Sequence, residues 1–200
     1  MPSRFRVRGI FRGLVLAIAR PLAKRGASPD SITYLSLLFA LFACISLPLT
    51  QVPQLFGLLV FITGLLDGVD GAVARLNESS SPSGGLTDSV VDKVAEMLIL
   101  TGIALAFPTT ILFGLSVTMW ALITLFGWLM TSYTRARAQS LGVADLDIGL
   151  GGRSERLLAL VVFSLLGLIL WGLVIVALMG VCTAAYRLYH YKMQILCNSG

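Results

Sequence analysis

Three stretches of this chain, Ser31–Leu66, Met97–Thr134 and Leu157–Tyr186, contain no Asp, Glu, Lys or Arg. Runs of this kind point to a bilayer. A helix of roughly 20 apolar residues crosses a hydrocarbon core about 30 Å thick, and in lipid the backbone must satisfy its own hydrogen bonds. The first two stretches are too long for one span each, and Pro48, Pro53 and Pro108 mark where they turn. Spans are expected near 29–48, 53–75, 84–107 and 109–135. Ser28-Pro29-Asp30 opens the first with an N-cap, a first-turn proline and a first-turn acid. The third stretch is long enough for one tilted helix or for two that turn near Gly167 to Gly172. Charge decides for two. With six spans and the N-terminus inside, all 15 Lys and Arg lie on or near one face, as the positive-inside rule requires. Five spans would strand Arg187 and Lys192 on the other side.

All ten acids also fall at that face, and the outer turns near 49–52, 108–110 and 167–172 carry no charge. Avoidance of the bilayer explains the absence of charge from the middle of the spans but not from the outer ends, so the chemistry is expected at the inner side. Residues 1–27 interleave Arg4, Arg6, Arg8, Arg12, Arg20, Lys24 and Arg25 with Phe5, Val7, Ile10, Phe11, Leu14, Val15, Ile18 and Leu22. This reads as an amphipathic helix lying in the inner interface against anionic lipid headgroups, rather than as a cleavable signal or an arm for nucleic acid. The net charge of +5 comes mostly from it. Cys44, Cys182 and Cys197 have no paired spacing. The expected fold is all-α integral membrane: an interfacial helix over 1–27, then one six-helix domain over 28–200. It is expected in the plasma membrane, with both termini and the site cytoplasmic.

The most informative segment is 65–96. Asp67 and Asp70 are three residues apart, Asp88 and Asp92 four apart, so each pair stacks on one helix face. The first pair ends one span at the inner side and the second pair begins the next. The short 77–83 connection is expected to make these helices antiparallel neighbours, bringing four carboxylates to one depth. Such a group repels itself in a low dielectric, and divalent cations relieve that. Oxygen donors suit Mg²⁺, Mn²⁺ or Ca²⁺, and two ions about 3.5–4 Å apart would form the clamp used in phosphoryl displacement. Gly68, Gly71, Ala72 and Ala74 leave room for a bulky group at the backbone, Arg75 is placed to meet a phosphate or an Asp, and Gly84 is expected to open the next helix with its N–H toward the site.

Asp67-Gly-Val-Asp70-Gly71-Ala-Val-Ala74-Arg75, eight residues, then Gly84-x3-Asp88-x3-Asp92 resembles the signature of the CDP-alcohol phosphotransferase family without gap or substitution. That resemblance implies a metal-dependent enzyme that displaces CMP from a CDP-linked lipid with the hydroxyl of a second alcohol, commonly as a homodimer. It implies that Asp67, Asp70 and Asp88 hold Mg²⁺ or Mn²⁺, that Asp92 is a ligand and the general base, and that Asp67, Gly71, Ala74 and Arg75 take the cytidine diphosphate.

For the acceptor, Arg135, Arg137, Arg153 and Arg156 flank the aspartate spans at their inner ends, with Asp145, Asp147 and Glu155 nearby. Arginine at all four places suggests an anionic group held bidentately. Ser132-Tyr133-Thr134-Arg135-Ala136-Arg137-Ala138-Gln139 and Arg153-Ser154-Glu155-Arg156 are similar to the branch that makes phosphatidylinositol phosphate or its archaeal ether-lipid analogue. Arg135 stands where that branch has lysine, and Gln139 where it has glutamate. The donor implied is CDP-diacylglycerol or CDP-archaeol and the acceptor inositol phosphate. Glycerol 3-phosphate is the alternative acceptor. A divalent-cation channel or transporter is the alternative of another class, opposed by the uncharged outer half.

Overall fold

The computed structural model describes residues 7–79, 81–143, 145–146, 148–149 and 151–198. Arg4, Phe5 and Arg6 of the interfacial segment and Asp147 lie outside them. Seven helices carry the described residues: α1 (Val7–Lys24), α2 (Pro29–Thr50), α3 (Pro53–Leu76), α4 (Pro82–Ala106), α5 (Val117–Ser140), α6 (Arg153–Leu165) and α7 (Ile169–Asn198). Three of them, Pro29–Thr50, Pro53–Leu76 and the Ile169–Leu196 part of α7, are long and apolar enough to cross a membrane by length and composition.

Most breaks fall where local chemistry demands them. Pro29, Pro53 and Pro82 each start a helix, a place where a missing N–H costs nothing. Pro48 does not end α2, which runs on to Thr50 and closes on Gln51 in the left-handed region (φ 54°), whose N–H returns to the Leu47 carbonyl. Among the described residues the Ser28 hydroxyl makes no capping bond, although Ser28 sits at the N-cap. Gly167, with φ 74°, separates α6 from α7, while Gly172 lies inside α7.

The span expected over 109–135 is corrected. Its first turns are a hairpin, Ile111–Leu112 paired antiparallel with Leu115–Ser116, and the helix starts at Val117. Phe113 and Gly114 both have positive φ (50° and 78°), as tight two-residue hairpin turns require. Trp120 Nε1 donates to the Leu112 carbonyl at 2.9 Å and ties the hairpin to α5.

The helices close a ring: α2 packs on α3 and α4, α3 on α6, α6 on α7, α7 on α5, and α5 on α4. The expected α3–α4 hairpin is therefore corrected as well. These consecutive helices hardly touch, because α2 takes the packing surface of both. The ring is filled by Leu47, Phe56, Val60, Ile99, Ile103, Trp128, Leu160 and Leu173, while Leu38, Phe42, Leu58, Leu122, Phe126 and Leu178 are exposed on its outside. An apolar belt outside an apolar core suits lipid as the surrounding solvent. Glycines set the closest helix approaches. A Cβ on Gly102 would lie 2.8 Å from the Cys44 Cα, and one on Gly127 2.8 Å from the Val181 nitrogen. Helix α1 lies against α3, burying Ala19 among Val69, Ala72 and Val73 while Arg12, Arg20 and Lys24 are exposed.

Candidate active site

The last turns of α3 and the first turns of α4 bring Asp67, Asp70 and Asp88 together. One oxygen from each lies within 4.8 Å of the other two. Asp70 is the buried member and is fixed twice. Thr33 of α2 donates its hydroxyl to Oδ2 at 2.7 Å, and the Gly71 N–H donates to Oδ1. Three hard oxygen donors this close fit a divalent cation, which would offset their mutual repulsion.

Asp92 stands one turn further along α4 with a different partner. Arg153, the first residue of α6, places Nη1 on Asp67 Oδ2 and Nη2 on Asp92 Oδ1, the latter at 2.7 Å. Its Nε is 3.3 Å from Glu96 Oε1. One guanidinium fork thus spans the Asp67 and Asp92 carboxylates.

Two cavities meet at Asp92 and Arg153. The first, of about 550 Å³, is lined by Asp67, Asp70, Gly71 and Arg75 of α3, Asp88 of α4, and Phe11, Arg12 and Val15 of α1. Gly71 faces it from beside Arg75; a Cβ there would touch Arg75 Nη1 at 3.4 Å. Ala74 does not line it. Nor does the expectation for Gly84 hold. Helix α4 begins earlier, at Pro82, and the Gly84 N–H is used by the Ser81 hydroxyl at 3.0 Å. A proline at N1 and a serine at the N-cap make the better start.

The second cavity, of about 750 Å³, is lined by Lys93, Arg135, Arg153, Arg156 and Arg187, with Gln139 and Glu155 also on its wall. Asp92, Arg153 and Ser154 belong to both cavities. Arg156 is 1 % exposed, its Cζ 5.0 Å from the centre of the Trp128 ring, and its Nε and Nη1 make no hydrogen bond among the described residues. Trp128 faces it as a cation–π partner. Arg135 is exposed at the rim. Arg137 is outside this cavity; it is exposed, with Nη1 3.4 Å from the Ser140 hydroxyl.

Three residues of the site carry no motif. Thr33 lies 37 positions from the aspartate it holds. Arg187 comes from α7, buried, donating to the Ile148 and Thr131 carbonyls at 2.9 Å each. Glu96 continues the four-residue spacing of Asp88 and Asp92, and that spacing was the available signal.

The chain is similar to known proteins over nearly its whole length. It is 33% identical over 178 residues to the archaetidylinositol phosphate synthase of Pyrococcus horikoshii, covering 89% of this chain and 90% of that one. It is 35% identical over 158 residues to the phosphatidylinositol phosphate synthase of Cutibacterium acnes, covering 76% and 72% respectively. Its fold matches the crystal structure of Mycobacterium tuberculosis phosphatidylinositol phosphate synthase with CDP-DAG bound. The TM-score is 0.75 at 23% identity, over 88% of this chain and 92% of that one. The family model for CDP-alcohol phosphatidyltransferases matches residues 27–188, a span that takes in the four aspartates, the arginines of the second cavity and the wall between the cavities. This chain is a membrane enzyme of the CDP-alcohol phosphatidyltransferase family.

Proposed function

We propose that the enzyme transfers a phosphatidyl-type group from a CDP-linked lipid, CDP-diacylglycerol or CDP-archaeol, to a hydroxyl of inositol phosphate and releases CMP. The observation that carries this reading is the wall of Asp92, Arg153 and Ser154 between a carboxylate-lined cavity and an arginine-rich one. The donor's diphosphate suits the first, with Asp67, Gly71 and Arg75 around it and Ala74 behind, and the acceptor's phosphate suits the cations of the second. The names of the relatives support the same pairing of substrates.

In this reading Asp67, Asp70 and Asp88 hold one or two Mg²⁺ or Mn²⁺ ions. Bound there, the metal would offset charge on the diphosphate and make CMP a better leaving group. Arg135, Arg153, Arg156 and Arg187 bind the acceptor phosphate and orient the sugar ring toward the wall. Asp92 accepts the hydroxyl proton as the new O–P bond forms. The P–O bond to CMP breaks, and CMP leaves with the electron pair. Helix α1 completes the rim of the donor cavity at the interface, so that lipid tails stay in the bilayer. The proposal includes six spans over 28–200, an interfacial segment over 1–27, a homodimer, and a plasma-membrane location with both termini and the site cytoplasmic. One-sided charge supports that orientation.

The test is CMP release by purified protein given CDP-diacylglycerol and, in turn, inositol 1-phosphate, glycerol 3-phosphate, inositol and serine. Release is expected with inositol 1-phosphate, lost on chelation and restored by Mg²⁺ or Mn²⁺. Preference for glycerol 3-phosphate would reassign the acceptor, and preference for an unphosphorylated alcohol would refute a phosphate site.

A further inference from the structure

Glu96 is 1 % exposed and is not among the residues lining either cavity, yet it pairs with two cations that line the second one, Lys93 of α4 and Arg153 of α6. Its Oε2 accepts a hydrogen bond from Lys93 Nζ at 2.6 Å, and its Oε1 forms an ion pair with Arg153 Nε at 3.3 Å, without the alignment of a hydrogen bond. A buried carboxylate survives in such a setting only when paired, and here both partners are residues of the cavity wall.

The geometry of Arg153 makes the contact consequential. Guanidinium is a planar, rigid fork, so a buried negative charge beside Nε attracts the same rigid group whose Nη1 and Nη2 meet other acids. Those two nitrogens reach Asp67 and Asp92, one on the carboxylate triad and one on the proton acceptor. Lysine and arginine are also the side chains with most freedom to lose on binding, and ordering them beforehand removes that cost from the binding step. Glu96 does so for both from behind the wall, touching neither substrate space.

We propose that Glu96 is a positioning residue for the acceptor: it holds the Arg153 guanidinium and the Lys93 ammonium in place on the second cavity. The acceptor's anionic group then meets both cations already ordered, and its hydroxyl is aimed at the shared wall. This rests on the reading of the second cavity as the acceptor's.

The experiment compares wild type, Glu96→Gln, Glu96→Asp and Lys93→Gln as purified full-length protein, with CDP-diacylglycerol and inositol 1-phosphate each varied. Glu96→Gln should raise the inositol 1-phosphate KM by about tenfold while the CDP-diacylglycerol KM stays within about twofold. Glu96→Asp keeps the charge but is one methylene short of bridging both cations, so it should not restore the acceptor KM. Should Glu96→Gln not fold, the partly exposed Lys93 supplies the reading: Lys93→Gln should raise the acceptor KM by about three- to tenfold. An unchanged acceptor KM, two KM values that rise together, or full rescue by aspartate would overturn the role of Glu96 alone. A wild-type protein inactive with inositol 1-phosphate would overturn the acceptor reading and this inference with it.

Discussion

Asp70 of α3 and Asp92 of α4 are both carboxylates of the site, and their partners separate their proposed tasks. Asp70 is buried and fixed by Thr33 and the Gly71 N–H, a setting that fixes a ligand in place. Asp92 faces both cavities and shares Arg153, a setting that suits the proton acceptor proposed above. Asp92→Asn is therefore expected to lower turnover by about 10²–10⁴-fold with CDP-lipid binding retained, as loss of a general base does; steady-state rates alongside a nucleotide-binding titration check it. A rate above about a tenth of wild type would remove Asp92 from that role. The arginines divide in the same way. Arg156→Gln is expected to raise the acceptor KM by about ten- to a hundredfold, whereas Arg137→Gln, outside the cavity, should stay within about twofold of wild type. Kinetics of the two variants side by side test the division. The aspartates were legible because a helix converts spacing of three and four into a shared face. The arginines were legible as a group but not individually, since only tertiary packing turns Arg156 and Arg187 inward and leaves Arg137 on the surface.

At the scale of the helix, packing is set where side chains vanish. Gly102 brings α4 against the backbone of α2 at Cys44, and a methyl group there would meet backbone atoms at 2.8–3.3 Å. Backbone cannot swing aside as a side chain can. Gly102→Ala should thus destabilise the protein by about 1–3 kcal/mol, the usual cost of overpacking, and lower its unfolding midpoint in detergent. Gly85, where a Cβ meets nothing within 4 Å among the described residues, is the control, and Gly85→Ala should leave that midpoint near wild type. The helix starts at Pro29 and Pro53 and the break at Gly167 could be read from residue type alone. The hairpin at 111–116 could not. Its residues are as apolar as a span, and what makes it a turn is the positive φ of Phe113 followed by glycine. The closeness of α3 and α4 was misread for a related reason. A short loop suggests a packed pair, but α2 competes for the same faces and wins them.

For the whole molecule, charge is the argument for six spans, and packing gives the ring order of the helices. With six spans the C-terminus lies on the side of the N-terminus, so a reporter fused after Gly200 that is active only in the cytoplasm should be active. A silent reporter there with an active one at the N-terminus would reduce the spans to an odd number. The wall common to the two cavities carries a further consequence, for the order of events. Because Asp92 opens onto both spaces, the proposed reaction has the attacking oxygen reach the donor directly, with no enzyme-bound lipid group in between. On that proposal, donor cleavage is expected to wait for the acceptor. Radiolabelled CMP incubated with enzyme and CDP-lipid alone should not exchange into the liponucleotide, and the label should begin to move only once phosphorylated lipid product is supplied to run the reaction backward.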